Sequence, residues 1–244
     1  MKKSSLLILA CVVACGAFAE KVAGAEDALE CESFPCSLAF AAPLQYPYEI
    51  CDVEYFSYNL IYGERNNLSG WDLGLVSRAK GDVTGLQTMG LVSWSGSNLR
   101  GCQISGLGNF VFGNAKAFQL ASVANCNSAD FVGAQIAAVN CNGAFWGFQL
   151  GAFNFNKGVS KALQIAAVNA NSGEFNGWSF GAVNCAGRCN GFQMGVINTI
   201  TDTGKAVQLG LFNSAANFSG LQFGFLNVIE NAPIPVMVLM NAQF

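Results

Sequence analysis

Hydrophobic and polar positions alternate in a short pattern that recurs along most of this chain. In Gly220–Asn227, which reads GLQFGFLN, the large residues Leu221, Phe223 and Phe225 alternate with small residues and one glutamine. A period of two is typical of a β-strand with two unlike faces, here one large and apolar and one small with a central amide. A helix is disfavoured because each recurring glycine would cost about 1 kcal/mol in a helix interior.

The pattern Gly/Ala-apolar-Gln-apolar-Gly/Ala-apolar-apolar-Asn occurs in eleven copies over 70–227, at a period of 14 to 16 residues. A fixed short period means that each copy is one structural unit, which cannot bury its apolar side alone and stacks on its neighbours. About ten residues of strand and four or five of turn account for the period, and segments such as Asn142-Gly143 and Asn156-Lys157-Gly158 are typical of turns. The copies begin at Gly70, Gly85, Gly101, Ala117, Gly133, Gly147, Ala162, Gly177, Gly191, Ala206 and Gly220.

Two slots of the pattern hold amide side chains, which we interpret as structural repeat positions. Asparagine in the closing slot is expected at the strand end, because it tolerates left-handed backbone conformations and hydrogen-bonds within its own turn. Asp72 stands in the glutamine slot of the first copy, where we expect it to be solvated. The glutamine slot holds Gln103, Gln119, Gln135, Gln149, Gln164, Gln193, Gln208 and Gln222; the closing slot holds Asn109, Asn125, Asn140, Asn154, Asn169, Asn184, Asn198, Asn213 and Asn227.

The fold class expected from these units is all-β, with two candidate architectures. One is an antiparallel up-and-down meander of about 12–14 short strands that closes into an outer-membrane-type β-barrel, with the apolar face towards lipid and the amide face inward. The other is a β-solenoid with one 14–16-residue repeat per coil, in which identical residues stack into ladders. We favour the barrel, because the closing strand expected over 235–244 looks like the C-terminal signal of outer-membrane barrels. The barrel predicts no contact between Cys126 and Cys141.

The two ends of the chain predict export and a three-part organisation. Residues 1–19 have the features of a cleavable signal peptide, with a basic start, an apolar stretch over 6–13 and a small-x-small site that ends at Ala19. The segment that ends at Cys15 resembles a bacterial lipobox, so lipidation of Cys15 is the alternative. An acidic N-terminal segment over 20–37 then leads into a single β-repeat domain over 38–244.

Charge is scarce in the repeats. Loss of Lys2 and Lys3 leaves 10 basic residues (12 − 2) against 15 acidic ones, and eight of the acids lie between Glu20 and Glu54. The chain has no basic patch with interleaved aromatic residues, which argues against a nucleic-acid partner. A hydrophobic content of 52% is too high for a disordered exported chain. An exported, charge-poor repeat region indicates outer-membrane lipid or the cell surface as its partner, with no ligand identified.

Cysteine and histidine usage restricts the chemistry further. Eight of the ten cysteines follow the signal segment, and an even number in an oxidising compartment permits disulfides. The candidates are the locally spaced pairs Cys31/Cys36 and Cys185/Cys189, together with Cys51. The chain has no histidine and no Cys-x-x-Cys pair, so we expect no zinc site and no cofactor. It also has no P-loop motif, and with no histidine an enzyme is not expected.

Three segments carry a resemblance to a known family. The block NLIYGERNNLSGWDLGLVS over 59–77, the GLQxGLxN-type units and the ending IENAPIPVMVLMNAQF resemble an exported bacterial surface-repeat family known from spirochaetes and other Gram-negative bacteria. The resemblance covers roughly residues 38–244 and implies location and architecture, with no catalytic residues to carry over. We therefore expect a structural repeat protein of the outer membrane or cell surface without catalytic activity. A binding or adhesion module or small pore that uses the Gln/Asn-rich face is the alternative, and an enzyme is a remote one.

Overall fold

Each repeat forms one coil of a β-solenoid in the computed structural model of the chain, which describes residues 33–244. The described residues are 76% strand, with no helix, in about 13 turns. The all-β prediction and the solenoid alternative are therefore confirmed, and the favoured antiparallel barrel is wrong. The strands are β1 (Phe34–Ala41), β2 (Leu44–Tyr46), β3 (Val53–Arg65), β4 (Leu68–Ala79), β5 (Val83–Ser95), β6 (Leu99–Ser105), β7 (Gly108–Val111), β8 (Ala115–Ala121), β9 (Ala124–Asn127), β10 (Phe131–Ile136), β11 (Val139–Asn142), β12 (Phe145–Leu150), β13 (Phe153–Asn156), β14 (Ser160–Ile165), β15 (Val168–Phe180), β16 (Val183–Met194), β17 (Ile197–Leu209), β18 (Phe212–Ile229) and β19 (Val236–Gln243).

One coil consists of two short strand segments joined by a bend. In the coil over 131–144, β10 is followed by a bend at 137–138, by β11 and by a turn at 143–144. The segment β10 pairs in parallel with β8 and β12, whereas β11 pairs in parallel with β9 and β13. The first segments of the coils therefore stack on one side of the solenoid and the second segments on another, within one 19-stranded sheet, and the inward side chains of the two sides meet in the interior.

Neighbouring coils align equivalent slots with one another. Gln135 pairs with Gln119 on one side and Gln149 on the other. Cys141 lies opposite Cys126 in the parallel pair of β11 and β9. The prediction that these two cysteines do not meet is wrong, because successive repeats run in the same direction and not in opposite ones.

A column of glycines lets successive coils approach closely at the start of the repeat pattern. Gly147 has φ of +136°, a region that favours glycine, and a Cβ at this position would overlap the carbonyl oxygen of Gly133 in the preceding coil. Eight glycines in this slot have φ between 130° and 146°. The glycines of the repeat therefore serve the stacking of the backbone.

The two ends of the solenoid are covered by different strands. At the N-terminal end β1 pairs in parallel with β3, and the short β2 pairs antiparallel with β1. Because β1 begins at Phe34, the predicted acidic segment over 20–37 already contributes a strand to the solenoid. At the C-terminal end β19 forms within the predicted closing segment and pairs antiparallel with β18. The predicted signal segment over 1–19, Cys15 and Cys31 lie outside the described residues.

Candidate functional site

The predicted glutamine and asparagine repeat positions all line the interior of the solenoid. Each of these side chains is at most 1% exposed. The asparagines lie within strands and none has a left-handed backbone, so the expectation that they mark strand ends is wrong. Buried amides are costly unless they are hydrogen-bonded, and the stacking of the coils supplies the partners.

The glutamines form a ladder with a fixed direction. Each side-chain amide donates from Nε2 to Oε1 of the glutamine one coil nearer the N-terminus, at 2.7–3.0 Å. Ser179 interrupts the ladder, because its hydroxyl donates to Asn184 in its own coil. A second run follows from Gln222 through Gln208 to Gln193. The first run consists of Gln87, Gln103, Gln119, Gln135, Gln149 and Gln164.

The closing-slot asparagines form a second ladder with the opposite direction. From Asn109 to Asn227, each Nδ2 donates to Oδ1 of the asparagine one coil nearer the C-terminus, at 2.8–3.1 Å. Most of these Nδ2 groups also donate to a backbone carbonyl, as Asn140 does to Leu150 at 3.0 Å. The amide dipoles of the two ladders therefore point in opposite directions along the solenoid.

A third amide column was missed by the sequence interpretation. Asn142 and Asn156, assigned to turns, are buried strand residues that follow the closing asparagine by two positions. Asn142 exchanges two hydrogen bonds with Gln135 across the interior and donates to Asn156 at 3.0 Å. The signal was the Asn-x-Asn spacing, since residues two apart in a strand share a face. The column consists of Asn127, Asn142, Asn156 and Asn171.

A buried ion pair terminates the glutamine ladder at its N-terminal end. Asp72 is fully buried, so the expectation that it is solvated is wrong. Its carboxylate accepts from Asn59 at 2.7 Å, from Gln87 at 3.2 Å and from Ser77, and it lies 2.6 Å from Nη1 of Arg65. A carboxylate accepts without donating, so Asp72 satisfies the last amide donor of the ladder. Arg65, 2% exposed, compensates its charge.

The two local cysteine pairs suggested by the spacing do not form. Cys51 is disulfide-bonded. Cys36, Cys185 and Cys189 are free thiols, so neither local pair forms a staple in the structure. Burial raises the pKa of the Cys189 thiol to about 12 and also raises the pKa of Cys185. A high pKa keeps a thiol protonated and therefore unreactive at neutral pH.

The side chains on either side of the glutamine slot, as Phe118 and Leu120 flank Gln119, form a continuous surface with the large side chains of the bends. We name this surface the apolar outer face. Its slots carry no Asp, Glu, Lys or Arg from Trp71 to Phe225. These eleven coils span about 50 Å at the usual strand spacing. Large side chains exposed on this face are Trp71, Leu75, Leu91, Leu107, Phe118, Leu120, Val123, Leu150, Leu163, Ile165, Trp178, Met194, Val196, Leu211, Phe223 and Phe225.

Basic side chains border the apolar outer face along one side. Arg100, Lys116, Lys161 and Lys205, which we name the basic rim, occupy one slot of the coil. Lys116 alternates with Phe118 along β8, so the rim points outward from the same sheet surface. From residue 69 to residue 219 this slot carries no acidic residue.

The apolar outer face also contains a groove. Phe180, Met194 and Leu209 form one wall, and Val196 and Leu211 form the other. Its floor is made by glycines at positions 181, 195 and 210, and its volume is about 550 Å³.

The described residues offer little chemistry beyond these surfaces. No group of three or more His, Cys, Asp or Glu side chains lies close enough to hold a metal ion within 33–244. Across the same residues, no helix is long and apolar enough to cross a membrane. Comparisons of the chain with protein-family models, with curated proteins and with solved structures found no match.

Proposed function

We propose that this chain is an exported structural repeat protein of the outer membrane or cell surface, which lies against lipid through its apolar outer face and has no catalytic activity. The observation that carries the proposal is the absence of charged side chains from the apolar outer face. The buried amide side chains of the interior hydrogen-bond one another, whereas the large apolar residues point outward. Exposed apolar surfaces of this extent mark interaction sites in folded proteins.

The basic rim supports anionic lipid as the partner. Lysine and arginine beside an apolar surface can place their stems against hydrocarbon and their charges among headgroups. Each basic residue near an anionic membrane surface contributes about 1 kcal/mol to the attraction. Trp146 occupies the same slot as the rim between Lys116 and Lys161 along the solenoid, and tryptophan is favoured at membrane interfaces.

A surface binding module is the second candidate, and the groove at Met194 favours it. The amide face on which the adhesion alternative relied is buried, so a ligand approaching from outside meets the apolar outer face instead. An apolar chain of a lipid or peptide fits the chemistry of the groove.

Flotation with vesicles tests the lipid proposal. We expect the protein to float with vesicles of phosphatidylethanolamine and phosphatidylglycerol, and to float less with phosphatidylcholine alone. A triple variant, Trp178→Glu, Leu211→Glu and Phe225→Glu, should lose flotation because it places charges on the apolar outer face. The matched control carries Tyr48→Glu and Val159→Glu, two exposed residues away from that face. Equal flotation of both variants, or none for the parent protein, would contradict the proposal.

Mass spectrometry of the mature protein tests export. We expect the N-terminus at Glu20, and a lipidated Cys15 would support export by the lipoprotein route. An intact Met1 on the protein isolated from cells would contradict export.

A further inference from the structure

The C-terminal strand β19 is an edge of the sheet. It pairs with β18 on one side, from Gly220 opposite Gln243 to Val228 opposite Val236. No strand of residues 33–244 lies on its other side. Within these residues the backbone groups on that side pair with no strand, as at an open sheet edge.

This edge carries neither the charges nor the prolines by which many proteins protect exposed strands, although its pairing with β18 shifts register beside Leu239, whose φ is +70°. Residues 231–244 contain no charged side chain, and β19 itself contains no proline. Val238 and Leu239 are 60% and 74% exposed. Natural edge strands are commonly protected by charges, prolines or short length, so β19 has the character of an edge that is covered by a partner.

The opposite end of the solenoid is protected. There β2 has three residues and is flanked by Pro43 and Pro47, which have no backbone N–H to donate. A head-to-tail stack would have to pair β19 with this blocked end. The strand best suited to cover β19 is therefore β19 of a second copy.

Three buried polar atoms at this end lack partners. Asn241 is 3% exposed and lies opposite Gln222, in the slot where the glutamine ladder would continue. Asn241 Nδ2, Gln222 Oε1 and Gln243 Oε1 have no hydrogen-bond partner among the described residues. Buried amide groups without a hydrogen-bond partner destabilise the folded state. The ladder is thus closed at Asp72 and incomplete at its C-terminal end.

We propose that two copies of this chain pair through β19, antiparallel about a two-fold axis. A strand without charges meets no like-charge conflict when it pairs with itself. The register that sets Asn241 opposite Asn241 of the second copy gives each Nδ2 an acceptor. A two-fold axis perpendicular to the sheet keeps equivalent faces on the same side, so the apolar outer faces of the two copies become one surface.

Analytical ultracentrifugation of the full chain, without lipid and in a mild detergent whose density matches that of the solvent, tests this pairing. We expect the parent protein to be a dimer and the Val238→Lys, Met240→Lys variant to be a monomer with an unchanged β-sheet circular dichroism spectrum. Phe225→Lys is the matched control, because Phe225 is exposed on the last coil and lies outside the strand edge. This variant should remain a dimer.

A second measurement does not depend on disrupting the edge. In the proposed register, Ala242→Cys places the two introduced thiols on a diagonal about 7–8 Å apart. A short bifunctional maleimide should then convert this variant, and not the parent protein, into a covalent dimer. A monomeric parent protein, an open-ended series of polymers, a dimer that survives both lysines, or no crosslink through residue 242 would each overturn the proposal.

Discussion

The ion pair between Arg65 and Asp72 gives the sharpest stability prediction. Asp72→Asn keeps the shape of the side chain but removes the negative charge. The guanidinium of Arg65 is 2% exposed, and among the described residues only Asp72 lies within ion-pair distance of it. The new amide would also present a donor where Asn59, Ser77 and Gln87 already donate.

The expected loss follows from leaving a buried charge without its partner. Removal of one member of a buried ion pair costs about 3–5 kcal/mol. For a domain of this size, that corresponds to a decrease in Tm of roughly 6–20 °C. In a repeat protein the loss falls on the affected coils and their neighbours, so exchange of backbone amides should accelerate in β4 and β5 more than in β17.

A rescue variant tests the cause. Arg65→Met combined with Asp72→Gln removes both charges and places glutamine in the ladder slot, as Gln87 does one coil further on. Replacement of a buried ion pair by uncharged residues of similar volume is often neutral or stabilising. We expect the double variant to recover most of the Tm lost by Asp72→Asn, measured by thermal denaturation together with hydrogen exchange. A loss below about 1 kcal/mol for the single variant, or no recovery in the double variant, would refute the reasoning.

Three further predictions concern the interior. Gln135→Leu should lower the free energy of unfolding by about 2–4 kcal/mol in chemical denaturation, because four buried hydrogen bonds worth about 1 kcal/mol each are lost and partly offset by apolar burial. An unchanged value would show that the amide is not in the interior. Gly147→Ala should destabilise the protein by about 1–3 kcal/mol through backbone strain. Gly158→Ala should cost less, because a Cβ at this position makes only a 3.3 Å contact. The reverse order of Tm values would contradict the role of the glycine column. In the folded protein at pH 8, Cys189 should react with iodoacetamide far more slowly than the exposed Cys36, because Cys189 is buried. The rise of the Cys189 pKa from 9.0 to about 12 leaves it roughly a thousandfold less thiolate than a thiol of pKa 9.0. Comparable labelling of the two cysteines by mass spectrometry would contradict the burial of Cys189.

The strand character and the faces of the repeat were predictable from the sequence. The alternation in Gly220–Asn227 correctly separated the amide side from the large apolar side. The direction of neighbouring strands was not predictable in the same way, because one unit has the same period of two in a meander and in a solenoid. The apolar closing segment favoured the barrel, yet it forms β19, which covers the end of the solenoid.

A change of parity within the coil explains why the repeat was predicted as one strand and a turn. Gln135 and Asn140 are five residues apart, so a single straight strand would place them on opposite faces. The bend at 137–138 shifts the alternation, and both amides point inward. The period of 14 to 16 residues therefore contains two strand segments and not one strand with a long turn. The burial of Asp72 was equally hidden, because its partner Arg65 precedes the first clear copy of the repeat.

A covalent link between Cys126 and Cys141 is the most direct test of the central claim, that successive repeats stack in register as parallel coils. These residues are paired across β9 and β11, where the strand spacing is about 4.8 Å. Dibromobimane, which couples only thiols that lie close together, should join them within one chain unless a native disulfide already does. Cys126→Ser and Cys141→Ser should each abolish the link mapped by mass spectrometry. If both thiols instead react singly with monobromobimane and no link forms, consecutive repeats run in opposite directions, with these cysteines roughly 25–30 Å apart, and the solenoid account is contradicted.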